Sequence, residues 1–219
     1  MENKSVEDYL KNIYSLKESS GKVTTSHLAE KLNISSAAVS EMISKLSKSG
    51  YISNTPYKGF ELTGKGEKIA VNLIRKHRLW EVFLVKHLKY PWDKVHAEAE
   101  RLEHSSSDEM IRNLEEFMNF PKFDPHGEPI PDANGNIEVC NDFQLSKGVV
   151  GETYIVKRVS DESSELLAYL SKIGLKLNDK IKVLEKISFD NSIQIQNKSL
   201  KLFLSEKLAN CIFVSDNKN

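Results

Sequence analysis

Cysteine is scarce in this 219-residue chain: only Cys140 and Cys211 occur, and they form no C-x-x-C pair. A disulfide framework and a thiolate zinc site are therefore not expected. No stretch approaches the roughly 20 apolar residues that a membrane-spanning helix needs, and the first residues lack the apolar core of a secretory signal. We expect a cytoplasmic protein without membrane contact. Hydrophobic residues make up 39% of the chain, enough to form folded cores.

Net charge is zero overall but is unevenly distributed along the chain. Residues 1–78 contain 13 basic and 8 acidic side chains, residues 79–142 contain 6 and 14, and residues 143–219 contain 12 and 9. A mildly basic first segment suits a domain that faces phosphates. Five of the six histidines lie in or beside the acidic segment, and histidine with carboxylate is a common ligand set for divalent cations. Solvated surface is the alternative interpretation of both charge runs.

The first segment has the element order of a winged helix-turn-helix. Helical periodicity covers residues 7–16, and a short helix at 27–32 is followed, after a turn of three or four residues, by a longer helix at 36–47, for which Ser36 is a candidate N-cap. Two short apolar segments then flank a turn and predict the two strands of a wing. A winged helix that binds only protein is the alternative.

Small side chains at the start of the helix at 36–47 allow close approach to base edges, and nearby lysines can contact phosphates. The predicted partner is double-stranded DNA. The predicted DNA-contacting residues are Thr25, Ser35, Ser36, Ala37, Ala38, Ser40, Glu41, Lys45, Lys48 and Lys58.

Helical periodicity resumes at residues 69–87 and again at about 92–104, and these two helices carry aligned ionisable side chains. The aligned residues are His77 and Glu81 on the first helix, and His96, Glu100, Glu103 and His104 on one stripe of the second. Carboxylates and imidazoles aligned in this way usually need a partner. We therefore predict a metal site here.

In the last segment, a short helix at 165–170 and short strands at 180–184, 193–195 and 202–204 predict a small all-β barrel.

Several segments taken in order carry a family resemblance. The segments VEDYLKNIYSL and LAEKLNISSAAVSEMISKLSKSGYI precede RKHRLWEVFL, DKVHAEAERLEHSSSDEM and FDPHGEPIPD. Together they resemble the diphtheria toxin repressor family of metal-dependent transcriptional repressors. The resemblance implies a mostly α protein with a C-terminal β domain. Its implied domains are a winged helix-turn-helix DNA-binding domain at 1–72, a helical dimerisation and metal-binding domain at 73–141, and an SH3-like (FeoA-like) domain at 142–219.

The resemblance also implies two metal sites. The primary site matches Asp8, Glu100, Glu103 and His104, with His77 nearby or ligating. The ancillary site of manganese-type members matches Glu81, Asp124, His126 and Asp161, or the adjacent Glu162 in place of Asp161. In the iron-type arrangement the ancillary ligands are instead His77, Glu81 and His96.

The identity of the metal is predicted from the ligand types. Iron-sensing relatives have Met and Cys where this chain has Asp8 and Glu100, and a site of oxygen and nitrogen ligands favours Mn²⁺, with Fe²⁺ as the alternative. Lys11 stands where short manganese regulators have a second carboxylate, so the chain departs from their paired-metal pattern there.

The resemblance implies a function as a Mn²⁺-activated repressor of metal-uptake genes, not an enzyme, that binds a palindromic operator as a homodimer. No small organic substrate is expected. The predicted dimer-interface residues are Trp80, Val82, Phe83, Leu84, Met110, Leu114 and Phe117. Alternatives are an Fe²⁺- or Zn²⁺-responsive repressor, a winged-helix protein that senses an organic ligand, and a metallohydrolase with His77, His96 and His104 around zinc.

Overall fold

The computed structural model describes residues 4–55, 59–161 and 163–217. The chain divides into two compact units. The first consists of the chain up to His77 together with Glu103–Ser106 and Pro131–Ile137. The second consists of Arg78–Leu102, Ser107–Ile130 and the chain from Glu138 onward. The predicted boundaries of three domains stay a prediction.

The first unit begins with three helices, α1 (Lys4–Ser20), α2 (Thr25–Leu32) and α3 (Ser36–Lys48). Each of the last two has a side-chain cap that accepts a backbone N–H: Thr24 caps α2, and Ser35 caps α3 through the amide of Ala38 at 3.2 Å. The cap of α3 is therefore one residue earlier than the predicted Ser36, because Ser36 already has helical geometry. The three helices pack around a shared apolar core, which includes Leu10, Ile13, Leu28, Val39, Ile43 and Leu46.

Two antiparallel strands, β1 (Ile52–Thr55) and β2 (Gly59–Leu62), follow α3 and confirm the predicted wing. Gly59 has φ +90°, and a Cβ there would lie 2.2 Å from the carbonyl oxygen of Val23, so only glycine fits. The turn between the strands, including the predicted DNA contact Lys58, lies outside the described residues.

Three further helices follow, α4 (Gly64–Lys86), α5 (Val95–Glu103) and α6 (Asp108–Phe117). The chain of α4 passes from the first unit into the second after His77. In the second unit the helices enclose an apolar core that includes Leu79, Val82, Val95, Ala99 and Ile111. None of the helices in the described part of the chain combines the length and apolar character needed to cross a bilayer.

Four of the seven predicted dimer-interface residues have side chains that are buried within the chain. The side chains of Trp80, Val82, Leu84 and Leu114 are buried in the core of the second unit, and Phe83 packs against that core. They already have packing partners within one chain. Met110 and Phe117 are exposed, with 65% of Phe117 accessible to solvent, and they keep the prediction open.

The rest of the second unit contains a six-stranded antiparallel sheet. Its strands, in their order across the sheet, are β3 (Phe143–Gln144), β8 (Ile212–Asp216), β4 (Thr153–Val159), β5 (Lys180–Lys186), β6 (Ile193–Asn197) and β7 (Leu200–Leu204). Along β6, residues alternate between buried and partly exposed positions, as expected for a sheet with one face on a core. The observed elements confirm the predicted small β domain and its short helix. The predicted short helix is α7 (Ser164–Lys172), and a second short helix, α8 (Glu206–Asn210), precedes β8.

Candidate metal centres and nucleic-acid interface

The first cluster of possible ligands lies in the first unit, where α1 meets the end of α5. Asp8, Glu103 and His104 each place one ligand atom within 4.8 Å of the others. The Nε2 atom of His104 lies 2.9 Å from Asp8 Oδ1 and 3.5 Å from Glu103 Oε1. These three oxygen and nitrogen atoms come from residues nearly a hundred positions apart in the chain, so the fold creates the site. We call this group the first cluster.

Glu7 is a member of this region that the sequence interpretation missed. Its Oε2 atom lies 2.6 Å from Nδ1 of His104, on the side of the ring opposite Asp8. A carboxylate on one ring nitrogen of a histidine fixes the orientation of the ring and leaves the other nitrogen for a metal. The only sequence signal for this role is the position of Glu7 directly before Asp8.

Lys11 and His77 hold the buried carboxylate of Glu103. The Nζ atom of Lys11 lies 2.9 Å from both Glu103 oxygens and 3.2 Å from Nδ1 of His77, which is itself 2.5 Å from Glu103 Oε2. Burial on its own raises the pKa of Glu103, but the hydrogen bond from His77 and the charge of Lys11 outweigh it, so the pKa is lowered. His77 therefore lies beside the first cluster, and a ligand role for it stays a prediction.

Burial raises the pKa of Asp8 above its ordinary value, although the positive charge of His104 acts in the opposite direction and the nearby Glu103 carboxylate adds to the rise. Two carboxylates that converge on one point disfavour each other's charged form. A cation at that point would favour both charged forms.

Glu100 belongs to the second unit. Its side chain is 54% exposed, and 3.7 Å separates His96 Nε2 from Glu100 Oε1. The predicted stripe on α5 thus divides: His96 and Glu100 pair with each other, while Glu103 and His104 join Asp8. A ligand role for Glu100 stays a prediction.

The second cluster lies entirely in the second unit and matches the predicted manganese-type ancillary site. Glu81, Asp124, His126 and Asp161 place ligand atoms within 4.8 Å of one another, and the first three are buried. The Nδ1 atom of His126 lies 3.6 Å from Glu81 Oε2, and the Nδ1 atom of His96 lies 3.4 Å from Glu81 Oε1. Glu162, the alternative to Asp161, lies outside the described residues.

Local hydrogen bonds orient the metal-ligating atoms of the second cluster toward one another. Asp124 Oδ1 accepts the backbone N–H groups of His126 and Glu128 at 2.8 and 2.9 Å, which leaves Oδ2 for the cluster. Nε2 of His126 lies 2.9 Å from the carbonyl oxygen of Trp92, whose indole stacks on the imidazole with 5.7 Å between centroids. These contacts turn Nδ1 of His126 toward Glu81.

Two buried atoms of the second cluster, Asp124 Oδ2 and His126 Nδ1, lack a hydrogen-bond partner within the described part of the chain. Buried polar atoms in native proteins nearly always have such a partner. A carboxylate oxygen and an imidazole nitrogen that face each other in this way are ligands for a divalent cation. The donor set therefore fits a metal ion.

Without a bound cation, the environment of the second cluster raises the pKa values of its ionisable groups and of the neighbouring His96. Burial, reinforced by the negative charge of Glu81, raises the pKa of Asp124. Burial on its own lowers the pKa of His126, but the Glu81 carboxylate outweighs it and raises that pKa to about 9. His96 behaves in the same way: burial opposes the shift, yet Glu100 and Glu81 raise its pKa to about 10. Metal binding therefore has to displace protons.

The iron-type ancillary arrangement stays a prediction. Within the second unit, the Nδ1 atom of His96 lies 3.4 Å from Glu81 Oε1.

The predicted DNA contacts of α3 form one exposed face of the helix, opposite its buried residues. Thr25, at the start of α2, is half-buried. The exposed predicted contacts are Ser35, Ser36, Ala37, Ala38, Ser40, Glu41, Lys45 and Lys48. The small residues occupy the N-terminal half of this face and the lysines the C-terminal half, an arrangement that suits base edges followed by phosphates.

Three family models match the chain in order. The model for the iron dependent repressor N-terminal DNA binding domain matches residues 2–60, and the model for the iron dependent repressor metal binding and dimerisation domain matches residues 63–132. The FeoA domain model matches residues 143–216.

Known proteins are similar over the same segments. The HTH-type transcriptional regulator MntR of Oceanobacillus iheyensis is 36% identical over 124 residues, which cover 57% of this chain and 84% of that protein. A solved structure described as a manganese-dependent transcriptional repressor complex with manganese superposes with a TM-score of 0.90 at 37% identity, covering 96% of this chain and 99% of that one. The chain belongs to the family of metal-dependent transcriptional repressors.

The family assignment confirms the predicted family and fold class, including the FeoA-type domain at the end of this repressor chain. The iron-dependent repressor IdeR of Mycobacterium tuberculosis is 39% identical over 127 residues, or 58% of this chain. The match spans 55% of that relative's length. Relatives named for iron and for manganese thus both occur, so the choice of metal depends on the ligands of this chain.

Proposed function

We propose that this chain is a Mn²⁺-activated transcriptional repressor that binds a palindromic operator as a homodimer and represses metal-uptake genes. One observation carries the proposal: Asp8 of α1, in the segment matched as DNA binding, meets Glu103 and His104, in the segment matched as metal binding and dimerisation. A metal ion bound by residues of both segments would therefore fix the position of α1.

The proposed switch follows from charge. Asp8 and the buried Glu103 carboxylate converge on one point, and the negative charge of Glu103 disfavours ionisation of Asp8. A divalent ion bound between them would supply the positive charge that lets both stay ionised and in contact. His104, oriented by Glu7, adds a nitrogen ligand through Nε2. Because coupling between two ligands is reciprocal, operator DNA should tighten metal binding by the same factor as metal tightens DNA binding.

The preference for Mn²⁺ rests on ligand chemistry. Both clusters consist of carboxylates and imidazoles, and no thiol or thioether belongs to either set within the described residues. Hard oxygen ligands suit Mn²⁺, whereas thiolates and thioethers select softer ions. Fe²⁺ is the second candidate, because relatives named as iron-dependent are 39% identical over their matched part.

The exposed face of α3 supports DNA binding. Its small residues leave the helix backbone accessible, and Lys45 and Lys48 stand in its last turn. The proposed homodimer uses exposed aromatic surface of the second unit, where Phe83, His87 and Phe117 contact one another through their rings and Phe117 remains largely exposed. Two copies related by a two-fold axis would present two α3 helices to the half-sites of a palindrome.

The decisive experiment is operator binding by the full chain with defined metals. An operator is first selected from a random double-stranded DNA library in the presence of Mn²⁺, and mobility shifts are then titrated with Mn²⁺, Fe²⁺, Zn²⁺ or EDTA. We expect tight binding with Mn²⁺ and loss of binding with EDTA. Glu103→Ala should abolish the metal response and keep the fold, as judged by circular dichroism. Equal binding in EDTA and Mn²⁺ would refute the proposal.

A further inference from the structure

The second cluster depends on a short loop whose shape is set by hydrogen bonds. Phe123 and Pro129 form an antiparallel bridge, and the Asp124 N–H donates to the Glu128 carbonyl at 2.9 Å. This small hairpin places Asp124 at its start and His126 at its tip. The two ligands are therefore correctly aimed only while the hairpin keeps its place.

Strand β4 holds the tip of the hairpin by close backbone contact. The Val159 N–H donates to the carbonyl oxygen of His126 at 3.0 Å. Gly127 has φ +91°, and a Cβ there would lie 2.1 Å from the carbonyl oxygen of Lys157. Only a glycine allows the loop to lie this close to β4.

The side chain of Arg158, on the same strand, fixes the returning arm of the hairpin. Its Nη1 atom donates to Glu128 Oε1 at 2.7 Å, while Nε and Nη2 donate to the two oxygens of Asp142 at 3.0 and 3.3 Å. The guanidinium carbon lies 3.7 Å from the ring centroid of Phe213. The bidentate pair and the ring contact fix the plane of the guanidinium, so its remaining N–H groups point in set directions.

Glu128 is thereby held from two sides. Its other carboxylate oxygen accepts a hydrogen bond from Arg78 of α4 at 3.2 Å, three residues before the cluster member Glu81. The Glu128 backbone N–H is in turn one of the two donors to Asp124 Oδ1. A displacement of Glu128 would release Asp124 from the orientation that points Oδ2 into the cluster.

We propose that Arg158 is a positioning residue of the second cluster: by bridging Glu128 and Asp142 it holds the hairpin so that Asp124 and His126 face Glu81. The inference rests on the proposed function, since it assigns the second cluster a metal. It gives the FeoA-type domain a role beyond the ligand Asp161, namely fixing the geometry of two ligands that the domain does not itself contain. Residues that orient metal ligands typically change metal affinity 10–100-fold when they are replaced.

The test measures Mn²⁺ affinity at the second cluster of the full chain. The substitution Asp8→Ala removes a ligand of the first cluster. The electron paramagnetic resonance signal of free Mn²⁺ then measures how much Mn²⁺ the second cluster binds. In this background we expect Arg158→Met to weaken Mn²⁺ binding roughly tenfold or more, and Arg158→Lys to restore part of the loss because an ammonium can still reach one carboxylate. Arg101→Met is the matched control, since Arg101 is exposed and pairs with Glu98 on the same helix.

Thermal unfolding without metal separates positioning from mere stability. Lower stability with unchanged Mn²⁺ affinity in Arg158→Met would overturn the inference. If Arg158→Met fails to fold, Glu128→Gln takes its place, because it weakens the contact between Arg158 and residue 128 and keeps the Arg158–Asp142 pair. Unchanged Mn²⁺ affinity in Glu128→Gln would also overturn the inference. Absence of Mn²⁺ binding in the Asp8→Ala background would also overturn it, while Mn²⁺-dependent operator binding by the unaltered chain would still support the proposed function.

Discussion

Lys11 offers the sharpest test of how the first cluster is charged. Its side chain is 15% exposed and donates to both oxygens of Glu103, which has no exposed side-chain surface. Lys11→Met keeps most of the volume of the side chain and its contacts with the neighbouring helices, but it removes the ammonium. The substitution leaves the buried carboxylate with His77 Nδ1 at 2.5 Å and His104 Nε2 at 3.5 Å.

The expected cost follows from that burial. Breaking a buried ion pair by removing one partner typically costs about 3–5 kcal/mol, because the remaining charge is uncompensated. His77 lies 2.5 Å from the carboxylate and offsets part of this loss, so we expect the lower end, about 3 kcal/mol without metal. For a chain of this size, that corresponds to a fall in Tm of roughly 6–12 °C. A divalent cation at Asp8, Glu103 and His104 supplies the missing positive charge, so the loss should be smaller in Mn²⁺.

Calorimetry in EDTA and in saturating Mn²⁺ measures both quantities, and Lys17→Met, an exposed position on the same helix, is the control. By linkage, a smaller loss in Mn²⁺ than in EDTA must appear as tighter Mn²⁺ binding by the variant, about tenfold for each 1.4 kcal/mol. Equal losses in the two conditions would refute the idea that Lys11 and the metal neutralise the same carboxylate.

Two further predictions concern metal selectivity and pH. Asp8→Met combined with Glu100→Cys should shift operator binding from Mn²⁺ toward Fe²⁺, because softer ligands then enter the set; an unchanged ratio of the two responses in mobility shifts would contradict the selectivity argument. The pKa of His96 is raised from 6.5 to about 10, so its contribution to metal-free stability is complete below pH 6.5 and is lost as pH rises through about 10. The Tm in EDTA should fall between pH 7 and pH 10, and a slope in His96→Gln as steep as in the unaltered chain would exclude His96 as its source.

Much of the fold follows from local signals in the sequence. The apolar spacing of the first three helices and the turn residues around the wing predict elements that the structure contains. The ends of the helices follow less directly from the sequence. The N-cap of α3 is Ser35 and not Ser36, and because both are serines, only the backbone geometry distinguishes them. Periodicity also marks an apolar face without saying what covers it, and for this reason the buried residues Val82 and Leu114 were predicted as dimer contacts.

The candidate sites were only partly predictable. Helical spacing puts His96, Glu100, Glu103 and His104 on one stripe, but the partners of that stripe come from distant parts of the chain, which spacing does not reveal. Asp8, Asp124, His126 and Asp161 entered through family resemblance. Glu7 and Arg158 had no comparable signal, because each acts by contacting another side chain and belongs to no spaced motif.

The position of Trp92 makes the second cluster visible to fluorescence. Its indole stacks on His126 and donates through Nε1 to Ser171 Oγ at 2.6 Å, while the only other tryptophan, Trp80, is buried in a helical core. A paramagnetic ion next to that imidazole would quench the emission of Trp92, and a Trp80→Phe background would leave Trp92 as the sole emitter. The chain thus carries its own optical probe of occupancy, with no attached dye.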